Sequence, residues 1–370
     1  MKEREAYLAL NLIPQVGPVR LRRMLDYFGG PQAVLAAKPT QLAQVKGIDQ
    51  TLAEHIAAWQ DHIDLTGELA KIRDLGLTLL MPEDELYPPL LRQEPTAPFL
   101  LYVWGQLQKR DHQAIGVVGS RQATAYGMNA AKKFSFQIAY AGYTVISGLA
   151  RGIDTAAHES ALAAKGRTIA VIGSGIGKLY PPENQALAAR IAENGAVISE
   201  YPVDRLADKQ TFPYRNRIVA GWSHGLLVVE APGRSGSLIT AQQALEMGRT
   251  IYAVPGNFDR PTSTGCNRLI QQGAKLVLDG GDILDDLGAL FPAENRVSEP
   301  APTAAATASL ENLSLDERIL FDAIGTEETH VDEIITRSGL TPATVSSSLM
   351  RLEMKRLVRQ LPGRHYIKLV

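Results

Sequence analysis

Two short segments of the sequence carry the residue types that hold phosphate groups. The tripeptide Gly119-Ser120-Arg121 follows one apolar run, and the tripeptide Gly173-Ser174-Gly175 follows another. Glycine lets a phosphate approach the backbone closely, a serine hydroxyl can donate a hydrogen bond, and an arginine fork can hold two phosphate oxygens. Tight turns would also need glycines, but they would not need the arginine. We therefore predict that both segments form part of an anion-binding site.

A third segment, residues 212–217, combines aromatic rings with guanidinium groups. Its sequence is Phe212, Pro213, Tyr214, Arg215, Asn216 and Arg217. Aromatic rings stack on unpaired bases while arginines follow a phosphate backbone, and a duplex hides the faces of its bases. The segment thus favours single-stranded nucleic acid. The alternative is that the rings pack into the sheet while the arginines pair with carboxylates.

Residues 232–237 offer a further set of small hydrogen-bonding groups. Ser235, Gly236 and Ser237 lie between an apolar run and a predicted helix. Backbone amides at such a helix start attract anions. We predict that this segment faces the same ligand-binding edge of the sheet as the first two tripeptides.

The same segment bears on an enzymatic alternative, a nucleoside-monophosphate phosphoribohydrolase of the plant Lonely Guy type. Those enzymes carry Pro-Gly-Gly-x-Gly-Thr-x-x-Glu, whereas this sequence has Arg234 after its glycine and Thr240 at the position of the glutamate. A carboxylate is needed there to stabilise an oxocarbenium-like transition state. Glu200 or Glu230 could supply one from a strand end, although Glu200 could equally orient Arg215 or Arg217. We predict no catalytic residue.

Cofactor motifs fail at defined positions. Residues 173–178 are short of the dinucleotide-binding spacing because the third glycine is replaced by Lys178. A Walker A loop would need glycine in place of Ile172 and serine or threonine in place of Leu179. The single Cys266 excludes an intramolecular disulfide and a multi-cysteine metal site, and we interpret it as a buried thiol. Neither a cofactor nor a metal is predicted.

The elements that must position these segments alternate between short apolar strands and helices. This alternation predicts an extended Rossmann-like α/β domain with a doubly wound, mostly parallel sheet, and continuous apolar strands indicate burial on both faces. The predicted strands are 79–81, 99–104, 114–118, 144–147, 168–172, 196–199, 225–229, 250–254 and 275–277. The predicted helices are 125–140, 153–164, 184–193, 217–221, 238–247 and 266–271.

Residues 1–75 show no strand pattern and predict a domain of short helices, SAM-like in type. Two turns, at 13–18 and 45–48, each place a glycine between apolar residues just before a helix. They resemble the helix-hairpin-helix, in which amides at the helix start approach a phosphate. A simple corner between two helices is the alternative.

The C-terminal part predicts a linker at 293–311 and a separate domain at 312–370. Helices at 315–324, 331–338 and 342–357 followed by a hairpin form the pattern of a winged helix. Thr344, Ser346, Ser347 and Ser348 are expected on the exposed face of the third helix. That face favours weak DNA contact or protein docking over reading of a DNA sequence. The central domain then spans 76–292.

The net charge bears on where a basic surface can lie, and the hydropathy bears on whether the chain enters a membrane. Lysine plus arginine number 38 against 39 aspartate plus glutamate, for a net charge of −1. A basic surface must therefore be local. No apolar stretch has a length that would span a bilayer or form a leader. We expect a cytoplasmic protein without a membrane partner.

Taken in order, many pieces of the central region resemble the DNA-processing protein A family, DprA or Smf. The matching pieces are residues 118–121, 147–158, 173–175, 180–181, 198–202, 212–218, 234–241 and 254–256. The resemblance implies a cytoplasmic homodimer that binds single-stranded DNA, loads the RecA recombinase and supports natural transformation. A transcriptional regulator, with its specificity in the winged helix, is another alternative.

The resemblance also implies which residues contact DNA. They are Gly119, Ser120, Arg121, Gly173, Ser174, Gly175, Phe212, Arg215, Asn216 and Arg217. Arg151 also follows a strand, but Asp154 three residues later could hold it. His158 is interpreted as a packed or capping residue. Family members can carry a basic residue after Tyr-Pro, whereas this sequence has Pro182-Glu183, which implies weaker backbone contact there.

Overall fold

The computed structural model describes residues 1–290, 313–324, 329–354, 357–361 and 365–368. These residues belong to two compact units, 1–294 and 295–370. The first unit holds both the helical segment and the central region, and a boundary between them at residue 75 stays a prediction. The predicted linker at 293–311 lies outside the described residues.

Short helices make up residues 1–75, as the sequence predicts. They are α1 (Glu3–Leu12), α2 (Pro18–Phe28), α3 (Pro31–Ala36), α4 (Pro39–Leu42), α5 (Gln50–Ala57), α6 (Trp59–His62) and α7 (Leu65–Asp74). Local sequence explains their ends. The Asp49 carboxylate accepts a hydrogen bond from the Leu52 amide at the start of α5. Gly29, with φ of 84°, ends α2 in the left-handed conformation that favours glycine.

The central region forms a nine-stranded sheet. Its strands are β1 (Thr78–Leu80), β2 (Leu101–Gly105), β3 (Ala114–Val118), β4 (Thr144–Ser147), β5 (Thr168–Val171), β6 (Ala196–Ser199), β7 (Gly225–Val228), β8 (Thr250–Ala253) and β9 (Lys275–Leu276). Their order is β1-β2-β6-β5-β4-β3-β7-β8-β9. The pairs β1-β2 and β2-β6 are antiparallel, and all other pairs of this sheet are parallel. The predicted fold class is confirmed.

Helices cover both faces of this sheet. They are α8 (Pro89–Arg92), α9 (Ala125–Tyr140), α10 (Ile153–Ala163), α11 (Gln185–Asn194), α12 (Thr211–Trp222), α13 (Gly236–Glu246), α14 (Thr264–Gln271) and α15 (Gly281–Leu290). Ile115 and Val117 pack with α9 and α10, while Val118 packs with α12 and α13. The helices of residues 1–75 share an apolar core with β2, β5 and β6, in which Leu8 lies with Val197. None of the helices in the described residues is long and apolar enough to cross a membrane.

One boundary differs from the prediction in a way that affects the site. The helix predicted at 217–221 begins at Thr211, so residues 212–217 lie on its first turns. Pro213 fits there because the first turn of a helix needs few amide donors. The Asp208 carboxylate accepts hydrogen bonds from the amides of Gln210 (2.8 Å) and Thr211 (2.9 Å) and holds the helix start.

The strand order reverses between β3 and β7, which lie side by side in the sheet. The chain leaves β3 towards β4 and leaves β7 towards β8, in opposite directions across the sheet. In open α/β sheets this switch point creates a crevice at the carboxyl ends of the strands, where ligands bind.

The described residues of the second unit form three helices and a small sheet. These are α16 (Leu315–Ala323), α17 (Val331–Ser338), α18 (Pro342–Met354) and the strands β10 (Thr329–His330), β11 (Val358–Leu361) and β12 (His365–Lys368). The strands β11 and β12 form the predicted hairpin, and β10 adds an unpredicted third strand beside β12. Ser348 was expected on the exposed face of α18, and this was wrong. It is buried because helical periodicity places it beside the core residues Val345 and Leu352.

Candidate nucleic-acid interface

A cavity of about 650 Å³ opens at the switch point. It is called the switch-point cavity here. Its walls come from the ends of β3 and β4 and from the first turns of α12 and α13. It is lined by Val118, Gly119, Ser120, Arg121, Gln122, Ala150, Arg151, Asp154, Lys209, Phe212, Pro213, Arg215, Asn216, Arg234, Ser235, Gly236, Ser237, Ile239 and Thr240. Five of these side chains are cationic and one, Asp154, is a carboxylate. A local basic surface thus exists in a chain whose net charge is −1.

The loop after β3 is held rigidly by its backbone. The Ser120 amide donates to the Glu230 carbonyl (2.7 Å), and the Ser120 carbonyl accepts from the Ile153 amide (3.2 Å). A side chain at Gly119 would have its Cβ 2.5 Å from Ile153 and 3.0 Å from the Glu230 carbonyl oxygen. The glycine is therefore required by close packing of the loop. This support places the next residue, Arg121, at the rim of the cavity.

Arg121 extends over an aromatic ring. Its side chain is exposed, and its guanidinium carbon lies 4.7 Å from the centroid of the Phe212 ring. The ring itself is half-buried and lies 5.8 Å from the ring of Tyr180. No carboxylate in the described residues forms an ion pair with Arg121. A free guanidinium above a ring is an arrangement that binds phosphate and stacks bases.

Arg215 has a different role from Arg121. It is only 4% exposed, and its Nη1 donates to the carbonyls of Gly148 and Val171 at the ends of β4 and β5. Its Nε donates to the Asn216 side chain (3.0 Å). Burial lowers the pKa of the guanidinium to about 10, and the Asp154 carboxylate opposes this shift. Arg215 therefore ties two strand ends together below the cavity and remains charged at neutral pH.

Arg217 lies outside the switch-point cavity. Its Nη2 lies 2.6 Å from each oxygen of the Glu200 carboxylate, and both side chains are largely buried. The interpretation that Glu200 orients an arginine is confirmed for Arg217. Glu230, the other carboxylate at a strand end, accepts hydrogen bonds from the Thr124 amide (3.1 Å) and hydroxyl (2.5 Å) at the start of α9. Both carboxylates are thus engaged in holding structure.

The segment Gly173-Ser174-Gly175 is buried and does not line the cavity. A Cβ at Gly173 would lie 3.1 Å from the Phe212 ring, and one at Gly175 would lie 2.0 Å from the Pro202 carbonyl oxygen. These glycines permit close packing under Phe212 and against the loop after β6. The structure therefore separates this tripeptide from Gly119-Ser120-Arg121, with which the sequence grouped it.

Arg151 is exposed, pairs with the Glu183 carboxylate and lines the cavity. It is not held by Asp154, which is buried and accepts hydrogen bonds from the amides of Gly148 (3.1 Å) and Ala150 (3.3 Å). The alternative that Asp154 holds Arg151 was wrong because the carboxylate points inward to its own loop. Glu183 raises the pKa of Arg151.

The start of α13 closes the opposite side of the cavity. Ser235 caps the helix by accepting a hydrogen bond from the Ser237 amide (3.3 Å), and the two hydroxyl oxygens lie 2.7 Å apart. A Cβ at Gly236 would meet nothing within 4 Å, so the space in front of the helix is open. An eleven-residue helix presents a partial positive charge there.

Sequence reasoning missed Lys209 and Gln122 as members of the site, and it included Arg234 only as part of the segment 232–237. Lys209 comes from the loop before α12, where a cation three residues before an aromatic ring was the available signal. The interpretation of His158 as a packed residue is confirmed, since it is buried with its Nδ1 2.7 Å from the Thr168 hydroxyl. Cys266 is buried as expected, and burial raises its pKa to about 12. Within the described residues, no cluster of three His, Cys, Asp or Glu residues could hold a metal.

The doubly wound sheet and its cation-rich crevice define a Rossmann-like protein with a site suited to polyanions. Two family models match the chain. The model described as DNA recombination-mediator protein A covers residues 78–288, and the model described as DprA winged helix domain covers residues 302–364.

Known proteins of the same kind are similar over most of their length. The Smf protein of a Synechocystis species is 34% identical over an alignment of 391 residues, which covers 98% of each chain. An X-ray structure of DNA processing protein A from Streptococcus pneumoniae has a TM-score of 0.68 at 34% identity and covers 77% of this chain and 98% of its own. A structure concerning the single-stranded DNA binding mode of DNA processing protein A from Helicobacter pylori has a TM-score of 0.52 at 26% identity and covers 57% and 95%. This chain belongs to the DNA-processing protein A family, DprA or Smf.

Proposed function

We propose that this chain binds single-stranded DNA in the switch-point cavity and does not catalyse a reaction. The contact between Arg121 and the Phe212 ring carries the proposal. At the same rim of the cavity, Arg121 offers a phosphate a cation without an ion pair in the described residues, and Phe212 offers an aromatic ring to an unstacked base. Duplex DNA would use the cation but could not present a base face to the ring.

The remaining lining groups support a strand that crosses the cavity. A phosphate between Arg121 and the start of α13 would meet the Ser235 and Ser237 hydroxyls and the open amides around Gly236. Lys209 and Arg234 flank the same path. We propose that Arg215 and the buried tripeptide Gly173-Ser174-Gly175 act by supporting the Phe212 region.

Membership of the family supports a proposal for the wider role. A recombination mediator transfers single strands to a recombinase, so we propose that this chain loads RecA and supports natural transformation as a cytoplasmic homodimer. The single-stranded DNA binding described for the Helicobacter pylori protein supports single-stranded DNA as the proposed ligand. We also propose that residues 1–75, 76–292 and 312–370 are its domains. In this proposal the central domain, residues 76–292, binds the DNA.

The test is a titration of labelled single-stranded and duplex oligonucleotides, followed by fluorescence anisotropy at two salt concentrations. We expect tighter binding of single strands and a loss of affinity with salt of about 0.7 log units per log unit of salt for each phosphate contacted. Arg121→Ala should weaken binding about tenfold or more because it removes a charge-assisted contact. A preference for duplex, or binding insensitive to salt, would contradict the proposal.

Arg73→Ala is the matched control. Arg73 is an exposed arginine of α7 that lines no part of the switch-point cavity. Its replacement should leave affinity unchanged. The free energy of unfolding of both variants should lie within about 0.5 kcal/mol of the wild-type value, because exposed side chains contribute little to stability. If Arg121→Ala lost stability together with binding, the loop would be structural and not a contact.

A further inference from the structure

A second cleft lies between the N-terminal helices and the start of α12. Two adjoining cavities of about 630 Å³ and 520 Å³ share the residues Gln15, Gly17, Pro18, Arg20, Tyr214 and Arg217. Together they are called the N-terminal cleft. The turn at residues 13–18, which resembles a helix-hairpin-helix turn, forms one wall. The proposed function does not use this turn or the two α12 residues that face it.

The helix α2 opens into this cleft without a capping side chain. Its cap residue is Gly17, which provides no acceptor, and its first residue is Pro18, which has no amide hydrogen. The amides of Val19 and Arg20 therefore begin the helix with no side-chain acceptor. An eleven-residue helix with a free amino end attracts an anion.

Arg20 adds a full positive charge at the same place. Its guanidinium donates to the Gln15 carbonyl (2.8 Å), and it forms no ion pair with any residue that the structure describes. The charges of Arg205 and Arg217 are neutralised by ion pairs with Asp208 and Glu200. Glu246 accepts a hydrogen bond from the neutral Gln242 side chain (2.9 Å), keeps its negative charge and lines only the smaller cavity. The charge left over in the larger cavity, which Arg20 lines, is therefore positive.

Arg217 provides an independent indication of a ligand. It is 7% exposed and lines both cavities of the cleft. Its Nη2 is held by Glu200, but its buried Nη1 has no hydrogen-bond partner among the described residues. A buried donor without an acceptor is costly, since native proteins satisfy nearly all such groups. A phosphate or base oxygen seated against Arg217 would supply the acceptor.

Tyr214 supplies an aromatic surface beside these donors. Its side chain is 62% exposed although it belongs to a buried helix, and it lines both cavities. The exposed Tyr214 ring, together with Arg20 and the start of α2, forms a surface suited to an unstacked base and its phosphate.

The N-terminal cleft and the switch-point cavity adjoin each other along α12 and α13. Pro213 lines both of them, with Phe212 on the switch-point side and Tyr214 on the cleft side. On α13, Thr240 lines the switch-point cavity and Gln243 lines the cleft. These two residues are separated by about 4.5 Å along the helix axis. One extended strand can therefore pass from the first site to the second.

We propose that the N-terminal cleft is a second subsite for the same DNA strand. It takes a phosphate at the start of α2 beside Arg20 and stacks a base on Tyr214. This inference rests on the proposed function, because it extends the strand bound in the switch-point cavity. It makes the helical N-terminal segment part of the DNA-binding surface.

The test measures affinity against length, using the full-length protein and fluorescent oligothymidylates from about 6 to about 30 nucleotides. We expect Arg20→Ala and Tyr214→Ala to match the wild type on the shortest strands. On long strands Tyr214→Ala should bind about tenfold more weakly, because stacking of one base is lost. Arg20→Ala should also reduce the salt slope by about 0.7, the value for one phosphate. Long strands carrying 5-iododeoxyuridine should photo-crosslink to Tyr214.

Arg23→Ala is the matched control for Arg20→Ala. Arg23 lies on the same helix, also donates to one backbone carbonyl, that of Lys46 (3.0 Å), and lines neither cavity. Equal affinities of Arg20→Ala and Arg23→Ala at every length would overturn the second subsite. Equal weakening by Arg20→Ala at every length would also overturn it. Neither result affects the first site, whose failure would instead show as wild-type affinity of Arg121→Ala for short strands.

A competition experiment distinguishes two possible sources of the phosphate in the N-terminal cleft, a DNA strand and a free nucleotide. Millimolar thymidine monophosphate should leave the gain in affinity with length unchanged. If it removed that gain while short strands still bound, the cleft would be a mononucleotide site and the proposal of a continuous strand would be wrong.

Discussion

At the scale of single residues, Arg121 and Arg215 lie in opposite environments although both are arginines of the same site. Arg121 is exposed, lacks an ion pair among the described residues and faces a ring. Arg215 is buried and donates to two strand-end carbonyls. A guanidinium has several donors, so it can either hold a ligand or hold the backbone. The first arginine is expected to govern binding and the second to govern stability.

We predict that Arg215→Ala lowers the free energy of unfolding by about 3 kcal/mol, because it removes a donor from two buried carbonyls and removes the positive charge that stabilises the buried Asp154 carboxylate. Urea unfolding followed by circular dichroism measures this. Arg121→Ala serves as the comparison and should change stability by less than about 0.5 kcal/mol. Equal stability of the two variants would show that the Arg215 contacts contribute nothing.

His158 predicts a dependence of stability on pH. Burial lowers its pKa to about 3, with a smaller effect of Arg215. The Thr168 hydroxyl donates to the Val145 carbonyl and so accepts from Nδ1 of a neutral ring. A base with a depressed folded pKa stabilises the fold above its unfolded pKa, near 6.5, and loses that contribution as the pH falls towards 3.

At pH 5.5 the loss attributable to His158 should be about 1 kcal/mol relative to pH 7.5. The measurement is urea unfolding at both pH values for the wild type and His158→Asn, which cannot titrate there. His224, whose pKa burial lowers to about 4, acts in the same direction in both proteins and therefore cancels. An equal pH effect in the two proteins would mean that His158 titrates normally.

At the scale of elements, carboxylates at the strand ends connect strands to helices. Glu200 at the end of β6 holds Arg217 of α12, and Glu230 at the end of β7 holds the start of α9. In a phosphoribohydrolase a carboxylate at this edge would have to face the ribose. The position that such an enzyme gives to its glutamate is Thr240, whose hydroxyl donates to the Gly236 carbonyl (3.4 Å) within α13.

We therefore expect no release of adenine from adenosine monophosphate and no hydrolysis of ATP by the purified protein. Glu200→Gln should instead reduce stability, by about 3 kcal/mol, because it leaves the Arg217 charge buried without its partner. The assays are base and phosphate release beside a denaturation curve. Turnover that disappears in Glu200→Gln would restore the enzymatic alternative.

At the scale of the whole molecule, the chain divides into two compact units. The switch-point cavity is built entirely from residues 118–240 of the first unit. The second unit has its own apolar core, which includes Leu320, Ile334 and Leu349. Each unit thus has the buried apolar residues that independent folding requires.

Deletion of residues 298–370 should leave folding and binding of single strands intact, with the dissociation constant within about threefold of the full-length value. Anisotropy titration and a thermal unfolding curve of residues 1–297 check this. The comparison is a full-length Arg121→Ala protein, which keeps the C-terminal unit and loses the cavity contact. If the truncated protein bound far more weakly than the full chain, the C-terminal unit would be a principal DNA-binding module.

The fold class and about half of the residues that line the switch-point cavity could be predicted from the amino-acid sequence. Continuous apolar runs such as 114–118 are stable only when both faces are buried, which requires a parallel sheet covered by helices. Parallel strands bring their carboxyl ends to one edge, so Ser120 and Ser235 could be grouped from their positions after strands. A glycine that follows a strand, however, has two physical uses, and the tripeptide at 173–175 proved to be packed in the interior.

The sequence could not show which residues of the segment 212–217 face the switch-point cavity and which face the N-terminal cleft; that depends on tertiary packing. The segment begins a helix, and successive helical residues point about 100° apart. Phe212 and Asn216 therefore line the switch-point cavity, Tyr214 and Arg217 line the N-terminal cleft, and Arg215 lies buried at the floor of the switch-point cavity. Composition shows that the rings and cations are present in this segment. Their directions depend on where the helix begins and on what packs against it, and these are set by residues distant in the sequence.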